Sequence, residues 1–300
     1  MVRSGDATDR KLSTLLMGIL GVEAVVYATL LWLARDQWLD ALLLCIAIAV
    51  GWRLLMFLGS FPLAYALGDR RGTALEWVRA SATELNAMAH AYCADQLRVS
   101  GPREQIDGAG RPVLLVHGFF CNAGIFTRLL KDLSGRPARA INLDPMYWSV
   151  DVGVERLKAE ILKFSQAHAK QHIVLIAHSM GGVYARYLLA REHSLPVHGL
   201  LTLGSPHSGT RLAALLPGGN ERGPVRPKTR WLSESKLTRL AENFRLLAVL
   251  SWQDNIIVPQ SSAIATDAPE LEFSGVGHVA LLYHPRVRAA ILATLKNWDT

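Results

Sequence analysis

Residues 172–182, HIVLIAHSMGG, join a continuous apolar run to a serine and two glycines. An uninterrupted apolar run of this length is typical of a strand that is buried on both faces of a parallel sheet. The run ends before Ser179, and Gly181 and Gly182 then allow a helix to begin close to the strand. A nucleophilic serine on such a turn usually follows the pattern G-x-S-x-G. Because Ala177 stands at the first glycine position, this motif alone does not show whether Ser179 is a nucleophile or a structural serine, and other parts of the sequence are needed.

Apolar and amphipathic stretches alternate on both sides of this segment. Continuous apolar strands that are separated by helices favour a mostly parallel sheet covered on both faces, which is a doubly wound α/β fold. We therefore predict an α/β domain over residues 111–300, preceded by a loop at 100–112. The predicted strands are 112–118, 139–144, 172–179, 198–206, 244–254 and 271–275, and the predicted helices are 124–133, 152–168, 182–191 and 285–297.

Three polar residues follow predicted strands in the order Ser179, Asp254, His278. Functional groups gather at the carboxyl ends of the strands in such sheets. A serine hydroxyl is a weak nucleophile unless a base takes its proton and a third group orients that base. We therefore predict that Ser179 is the nucleophile, His278 the general base and Asp254 the orienting acid. Asp144 and Asp267 are alternatives to Asp254, which is preferred for its place in the chain order.

Four motifs in this part of the chain resemble those of the α/β-hydrolase superfamily, in particular small bacterial triacylglycerol lipases and esterases. They are LLVHGFF (114–120), AHSMGG (177–182), LTLGSPHSGT (201–210) and GVGHVALLYHP (275–285). The resemblance covers about residues 111–298 and includes relatives with alanine at the first elbow position. It implies a serine carboxylic-ester hydrolase that acts on lipid-like esters through an acyl-enzyme and needs no cofactor. No group of residues in the sequence suggests a metal, flavin or nucleotide site.

The resemblance also implies the surroundings of the nucleophile. The backbone amides of Phe119 and Met180 would form the oxyanion hole, and the acyl pocket would be apolar. Candidate pocket residues are Phe120, Ile125, Phe126 and His207. A thioesterase or an acyltransferase could use the same triad. A more distant alternative is a membrane scaffold that keeps the fold without activity.

Residues 1–68 carry two long apolar runs, 12–34 and 41–68. The first run has 23 residues and would reach roughly 35 Å as a helix, enough to cross a hydrocarbon core of ~30 Å. A cleavable signal peptide would have a shorter core and no second span. We therefore predict a transmembrane hairpin. The flanking basic residues place both ends, and the catalytic domain, on the cytoplasmic side of a bacterial inner membrane.

Each predicted span contains one ionisable residue near its middle, Glu23 or Arg53. An isolated charge at that depth is costly, so we predict an intramembrane ion pair. The alternative is that Arg53 reaches the membrane surface and that Glu23 is protonated or faces another subunit.

Two further segments surround the predicted catalytic domain. Residues 69–110 form a connector whose helix, from Thr73 to about Leu97, would bury Leu75, Val78, Leu85, Met88 and Tyr92, against either the membrane or the domain. A basic insertion at about 207–240 would either cap the acyl pocket with Leu215, Leu216 and Trp231 or form a solvated loop.

Composition limits the possible partners. The net charge of +7 and the pI of about 9.5 favour anionic surfaces such as lipid headgroups, but no nucleic-acid-binding motif accompanies the charge. The three cysteines, Cys45, Cys93 and Cys121, have no metal-ligand spacing, and their odd number argues against a disulfide framework. We therefore expect lipid and membrane partners, no nucleic acid and a reducing compartment. The sequence gives no indication of the oligomeric state.

Overall fold

The computed structural model of the chain describes residues 21–23, 25–30, 32, 38–97, 103–105, 108–143, 150–169, 171–215, 230–234, 244–266 and 268–299. Within these ranges seven strands form one sheet. They are β1 (Arg103–Gln105), β2 (Val113–Val116), β3 (Ala138–Ile141), β4 (Ile173–His178), β5 (Val197–Leu203), β6 (Arg245–Ser251) and β7 (Glu270–Phe273). Their order in the sheet is β1-β3-β2-β4-β5-β6-β7.

The six strands β2 to β7 are parallel, as the apolar runs predicted. The edge strand β1 is antiparallel to β3 and lies in the segment 100–112, which was wrongly predicted to be entirely loop. This strand has only three residues, all of them polar, and it pairs only with β3. It therefore has no apolar periodicity from which a strand could be predicted.

Helices cover both faces of the sheet, which confirms the predicted layering. The helices are α1 (Trp38–Leu67), α2 (Ala74–His90), α3 (Thr127–Asp132), α4 (Val150–Ala167), α5 (Met180–Arg191), α6 (Arg230–Ser233), α7 (Ala280–Tyr283) and α8 (Pro285–Trp298). On one face α4 and α5 pack against alternate side chains of the strands, such as Leu114 and Val116 of β2. On the other face α3, α7 and α8 pack against Val113 and Leu115.

The strand order reverses at the centre of the sheet. After β2 the chain places β3 on one side of it and β4 on the other. At such a reversal the connections that follow two neighbouring strands leave in opposite directions, and a crevice opens at the carboxyl ends of these strands. The loops after β2 and β4, which carry His117 and Ser179, therefore border this crevice.

The amino-terminal segment is helical where it is described, at residues 21–23 and 25–30 and along α1. Within the ranges given above, no helix combines the length and the apolar character that a membrane crossing requires. Residues 12–20 of the first predicted span and the side chain of Arg53 lie outside the described part of the chain. The hairpin and its Glu23–Arg53 ion pair therefore stay predictions.

The turn between α1 and α2 contacts the loop that follows β6. Asp69 accepts hydrogen bonds from the amide and the hydroxyl of Ser261, at 2.7 and 3.0 Å. The guanidinium of Arg71 lies 3.8 Å from the ring centre of Trp252. The segment predicted to be a connector is therefore part of the packed domain.

Helix α2 packs only part of the predicted apolar face against the domain. Leu75, Val78 and Leu85 are exposed, whereas Met88 and, just beyond the helix, Tyr92 are partly buried. Contact of the exposed side chains with a membrane stays a prediction. The fully buried positions are Ala80, Glu84 and Ala87. Small alanines allow the helix backbone to approach the domain closely, and the carboxylate of Glu84 is hydrogen-bonded there. A hydrophobic periodicity alone cannot identify such a face.

Candidate active site

Ser179 occupies a sharp turn between β4 and α5. Its backbone has φ 56° and ψ −127°, a conformation that is costly for a residue with a side chain. The amide of Ser179 donates to the carbonyl of Leu203 at 2.8 Å, which ties the turn to β5. A Cβ on Gly181 would lie 2.5 Å from the carbonyl oxygen of His117, so the helix can approach the loop after β2 only with glycine there.

The structure brings the three predicted catalytic residues together. Nε2 of His278 lies 3.0 Å from Oγ of Ser179, and Nδ1 of His278 lies 2.8 Å from Oδ2 of Asp254. All three side chains are buried. Hydrogen bonds of this length allow a proton to pass from the hydroxyl to the imidazole. The two alternatives to the acid, Asp144 and Asp267, lie outside the described residues.

Asp254 is held by both of its carboxylate oxygens. Oδ1 accepts two backbone hydrogen bonds, from the amides of Ile256 and Ile257, each at 2.8 Å. Oδ2 is left for the imidazole of His278. The side-chain amide of Gln260 donates to the carbonyl of Asp254 at 2.9 Å. The carboxylate is therefore fixed as an acceptor that faces Nδ1 of His278.

The environment of His278 sets both its tautomer and its basicity. Because Asp254 can only accept when it is ionised, Nδ1 of His278 carries the proton and Nε2 is free to accept from Ser179. Burial alone would lower the pKa of His278, but the charge and the hydrogen bond of Asp254 raise it above its usual value. A proton taken from Ser179 is therefore stabilised on the imidazole.

Two other histidines hold the turns around the nucleophile. Nε2 of His117 accepts from the amide of Leu143 at 3.1 Å, and its Nδ1 donates to the carbonyl of Gly118 at 2.9 Å. Burial lowers the pKa of His117 to about 4. Nε2 of His178 lies 3.3 Å from the carbonyl of His278, and burial lowers its pKa well below the usual range. Both rings are therefore neutral at physiological pH.

The two residues predicted to supply the oxyanion hole lie next to Ser179. Met180 is the first residue of α5. Its amide therefore belongs to the first turn of the helix, where N–H groups have no acceptor within the helix. Phe119 follows Gly118, and a Cβ on that glycine would be only 2.7 Å from Cβ of Ser179. Both peptides therefore border the nucleophile, where an oxyanion would form.

The predicted pocket residues have different environments. Phe120 is 44% exposed and its ring contacts that of Phe119, with 4.3 Å between the ring centres. Ile125 and Phe126, by contrast, are 1% and 0% exposed in the core beneath α3 and α8. Side chains without accessible surface cannot contact a substrate, so the structure corrects the prediction for these two. His207 is partly buried, and its Nε2 lies 3.0 Å from Oγ1 of Thr202.

The basic insertion is described only in part. Residues 216–229 and 235–240, which include Leu216, and the side chains of Leu215 and Trp231 lie outside the described residues. The predicted cap over the acyl pocket therefore stays a prediction. Across the ranges that the structure describes, no group of three or more His, Cys, Asp or Glu side chains could hold a metal ion.

Asn255 supports the triad, and sequence reasoning missed it. Its Oδ1 accepts from the amide of His278 at 3.2 Å, and its Nδ2 donates to Oγ of Ser60 in α1 at 3.0 Å. The amide side chain therefore connects the catalytic histidine to the amino-terminal helix. In the sequence, the only indication of a role for Asn255 was its position next to the predicted acid Asp254. That position gave no indication that Asn255 would bond to Ser60, which lies 195 residues away.

Comparisons with known proteins agree with this architecture. Residues 146–215 match the model of the PGAP1-like alpha/beta domain family. Among solved structures, Aspergillus fumigatus lipase B superposes with a TM-score of 0.54 at 17% identity, over 65% of this chain and 56% of that one. The propeptide form of Bacillus licheniformis lipase BlEst2 gives 0.53 at 15% identity, over 65% and 52%.

The chain spans little more than half the length of the two lipases, and no curated protein sequence matches it. At such identities a superposition establishes the fold and leaves the activity open. The parallel six-stranded sheet, its flanking helices and these structural neighbours together show that the chain has the α/β-hydrolase fold.

Proposed function

We propose that this protein is a serine carboxylic-ester hydrolase that acts on lipid-like esters through an acyl-enzyme. The observation that supports the proposal best is the continuous hydrogen-bonded chain from Ser179 through His278 to Asp254, on a strained turn at the switch point of the sheet. Strain at a buried, hydrogen-bonded serine is characteristic of functional sites. The lipase folds of the structural neighbours are consistent with it.

In the proposed first step, Oγ of Ser179 attacks the ester carbonyl carbon while Nε2 of His278 takes the hydroxyl proton. The carbonyl oxygen becomes an oxyanion, to which the amides of Phe119 and Met180 would donate. One such donor typically stabilises the transition state by ~3 kcal/mol. When the tetrahedral intermediate collapses, the bond to the leaving alkoxide breaks and His278 returns the proton to that oxygen.

The second step releases the acyl group. Water attacks the carbonyl carbon of the acyl-enzyme, and His278 takes the proton from the water. The bond to Ser179 then breaks, and the serine oxygen recovers its proton from the imidazole. Asp254 stays ionised throughout and stabilises the imidazolium that forms in each step. The reaction consumes one ester and one water and yields an acid and an alcohol.

Labelling with a fluorophosphonate, which phosphonylates activated serines, tests the proposal without knowledge of the natural substrate. We expect the detergent-solubilised protein to react at Ser179 and the modified peptide to contain AHSMGG. Labelling should be lost in Ser179→Ala and retained in Ser208→Ala, an exposed serine of the neighbouring GSPHSGT segment. Equal labelling of wild type and Ser179→Ala, or none in folded protein with and without lipid, would refute the proposal.

We further propose that the amino-terminal helices hold this site at a membrane, which would give it access to lipid esters. Large apolar side chains of α1 are exposed over most of its length, among them Leu39, Leu43, Leu44, Ile46, Ile48 and Leu58. An exposed apolar surface of this extent marks an interaction site. Because the same helix contacts Asn255 beside the triad, a membrane bound there would lie near the active site.

Alkaline carbonate extraction of membranes that contain the full-length protein tests this placement. Integral proteins remain in the pellet because their apolar surface is buried in lipid, and charge-bound proteins are released. We expect the protein to stay in the pellet, with a peripheral protein of the same membranes as the control. Release into the supernatant would contradict membrane insertion and would leave the hydrolase proposal untouched.

A further inference from the structure

The carboxylate of Glu84 is bonded to the segment that carries His278. Glu84 lies on α2 and is 1% exposed. Its Oε1 accepts from the amide of Val279 at 3.0 Å, and its Oε2 accepts from the amide of Ala280 at 2.8 Å. These are the two peptide groups that directly follow the histidine of the triad. Helix α2 therefore fixes the backbone to which the imidazole is attached.

The fit between α2 and this segment is close. A Cβ on Gly277 would lie 2.5 Å from Cβ of Glu84 and 2.6 Å from its Oε2, so only glycine leaves room for the carboxylate. One residue earlier on the helix, Oγ1 of Thr83 lies 3.3 Å from the carbonyl of Gly275. The segment 275–280 is thus held at its start by a neutral contact and at its end by a buried carboxylate.

The charge of Glu84 and the charge of His278 affect each other. Burial raises the pKa of Glu84 to about 7, although the amide of Val279, the charge of His278 and the amide of Ala280 all favour its ionised form. The negative charge of Glu84 in turn contributes to the raised pKa of His278. The other titratable groups that act on Glu84 or respond to it are Asp254, Tyr92 and Cys121.

We propose that Glu84 is a positioning residue for the triad, which anchors the His278 backbone and stabilises the imidazolium that forms during the reaction. The inference rests on the proposed function in that His278 acts as the general base. When it is ionised, the buried carboxylate of Glu84 adds a second negative charge to that of Asp254 and favours the charged form of His278. The amino-terminal helix α2 would then be required for the chemistry as well as for packing.

Two variants separate this role from a structural one. Glu84→Gln keeps the shape of the side chain, removes the charge and leaves one acceptor oxygen for two amides. Thr83→Val is the matched control, because it removes the neighbouring contact between the same helix and segment without changing any charge. Circular dichroism and thermal unfolding establish that each variant is folded.

The first measurement is the NMR titration of the His278 imidazole, which does not depend on turnover. We expect the pKa of His278 to fall in Glu84→Gln, since the loss of a nearby negative charge disfavours the imidazolium, and to stay unchanged in Thr83→Val. An unchanged His278 pKa in folded Glu84→Gln, or the same fall in Thr83→Val, would overturn the inference. An inactive wild type would refute the hydrolase proposal, while this titration would still decide the coupling.

The second measurement is the hydrolysis of a short-chain nitrophenyl ester. We expect kcat of Glu84→Gln to fall by about tenfold with KM within about twofold of wild type, because the base is misplaced and the binding site is intact. If Glu84→Gln does not fold, Glu84→Asp is the variant to measure. It keeps the negative charge but shortens the side chain by one methylene, which moves the carboxylate away from the amides of Val279 and Ala280. A wild-type kcat in folded Glu84→Asp would overturn the positioning role, and a reduced kcat with a near-wild-type His278 pKa would support it.

Discussion

Ser179→Ala and His278→Ala should each lower kcat for a short-chain nitrophenyl ester by about 10⁵- to 10⁶-fold. Without the hydroxyl there is no attacking oxygen, and without the imidazole the hydroxyl cannot lose its proton as it attacks. The 3.0 Å contact between Nε2 of His278 and Oγ of Ser179 makes the two groups one functional unit. The residual rate would come from the oxyanion donors and from substrate binding.

The double variant distinguishes a functional unit from two independent contributions. If the two residues act only through each other, Ser179→Ala/His278→Ala should be no slower than either single variant. Ser208→Ala serves as the control and should retain the wild-type rate. A loss of less than about 100-fold in either single variant would contradict the triad, as would single losses that multiply in the double variant.

The strand ends of the α/β domain could be predicted because each is marked by a short stretch of neighbouring residues. An apolar run such as the one within 172–178 identifies a buried strand, and the polar residue after it falls at the sheet edge where parallel strands end. Ser179, Asp254 and His278 were named on this basis. The structure places the three side chains within hydrogen-bonding distance, although 99 residues separate Ser179 from His278.

The features that sequence reasoning missed depend on contacts between distant segments. Ile125 and Phe126 are apolar residues just after the loop of Phe119, and only the packing of α3 and α8 shows that they are core. The inward face of α2 consists of small alanines and one glutamate, which is the opposite of an apolar stripe.

The supports of the triad were hidden for the same reason. Glu84 contacts residues 195 and 196 positions away, and Asn255 contacts Ser60 across a similar distance in the chain. No motif marks either residue. Their partners are main-chain amides or a lone hydroxyl, groups that every stretch of sequence offers, so only the three-dimensional arrangement can identify them.

Asp254→Asn should lower kcat by about 10⁴-fold, with little change in the fold. The carboxylate accepts on both oxygens, from two amides on Oδ1 and from His278 on Oδ2. An asparagine has one acceptor oxygen and an NH₂ group. The two amides of Ile256 and Ile257 would select its oxygen, so its NH₂ would face Nδ1 of His278 and require the tautomer protonated at Nε2. In that tautomer His278 donates to Ser179 and cannot take its proton.

This prediction is checked by ester hydrolysis and by NMR of the imidazole nitrogens, which reports the tautomer directly. Asp69→Asn is the matched control, because Asp69 also binds the loop after β6, through Ser261, but has no contact with the triad among its described bonds. We expect it to keep kcat within about twofold of wild type. If Asp254→Asn retained more than about a tenth of the wild-type kcat with the proton still on Nδ1, a different group would have to orient His278. The assignment of Asp254 would then be wrong even though its geometry is that of a triad acid.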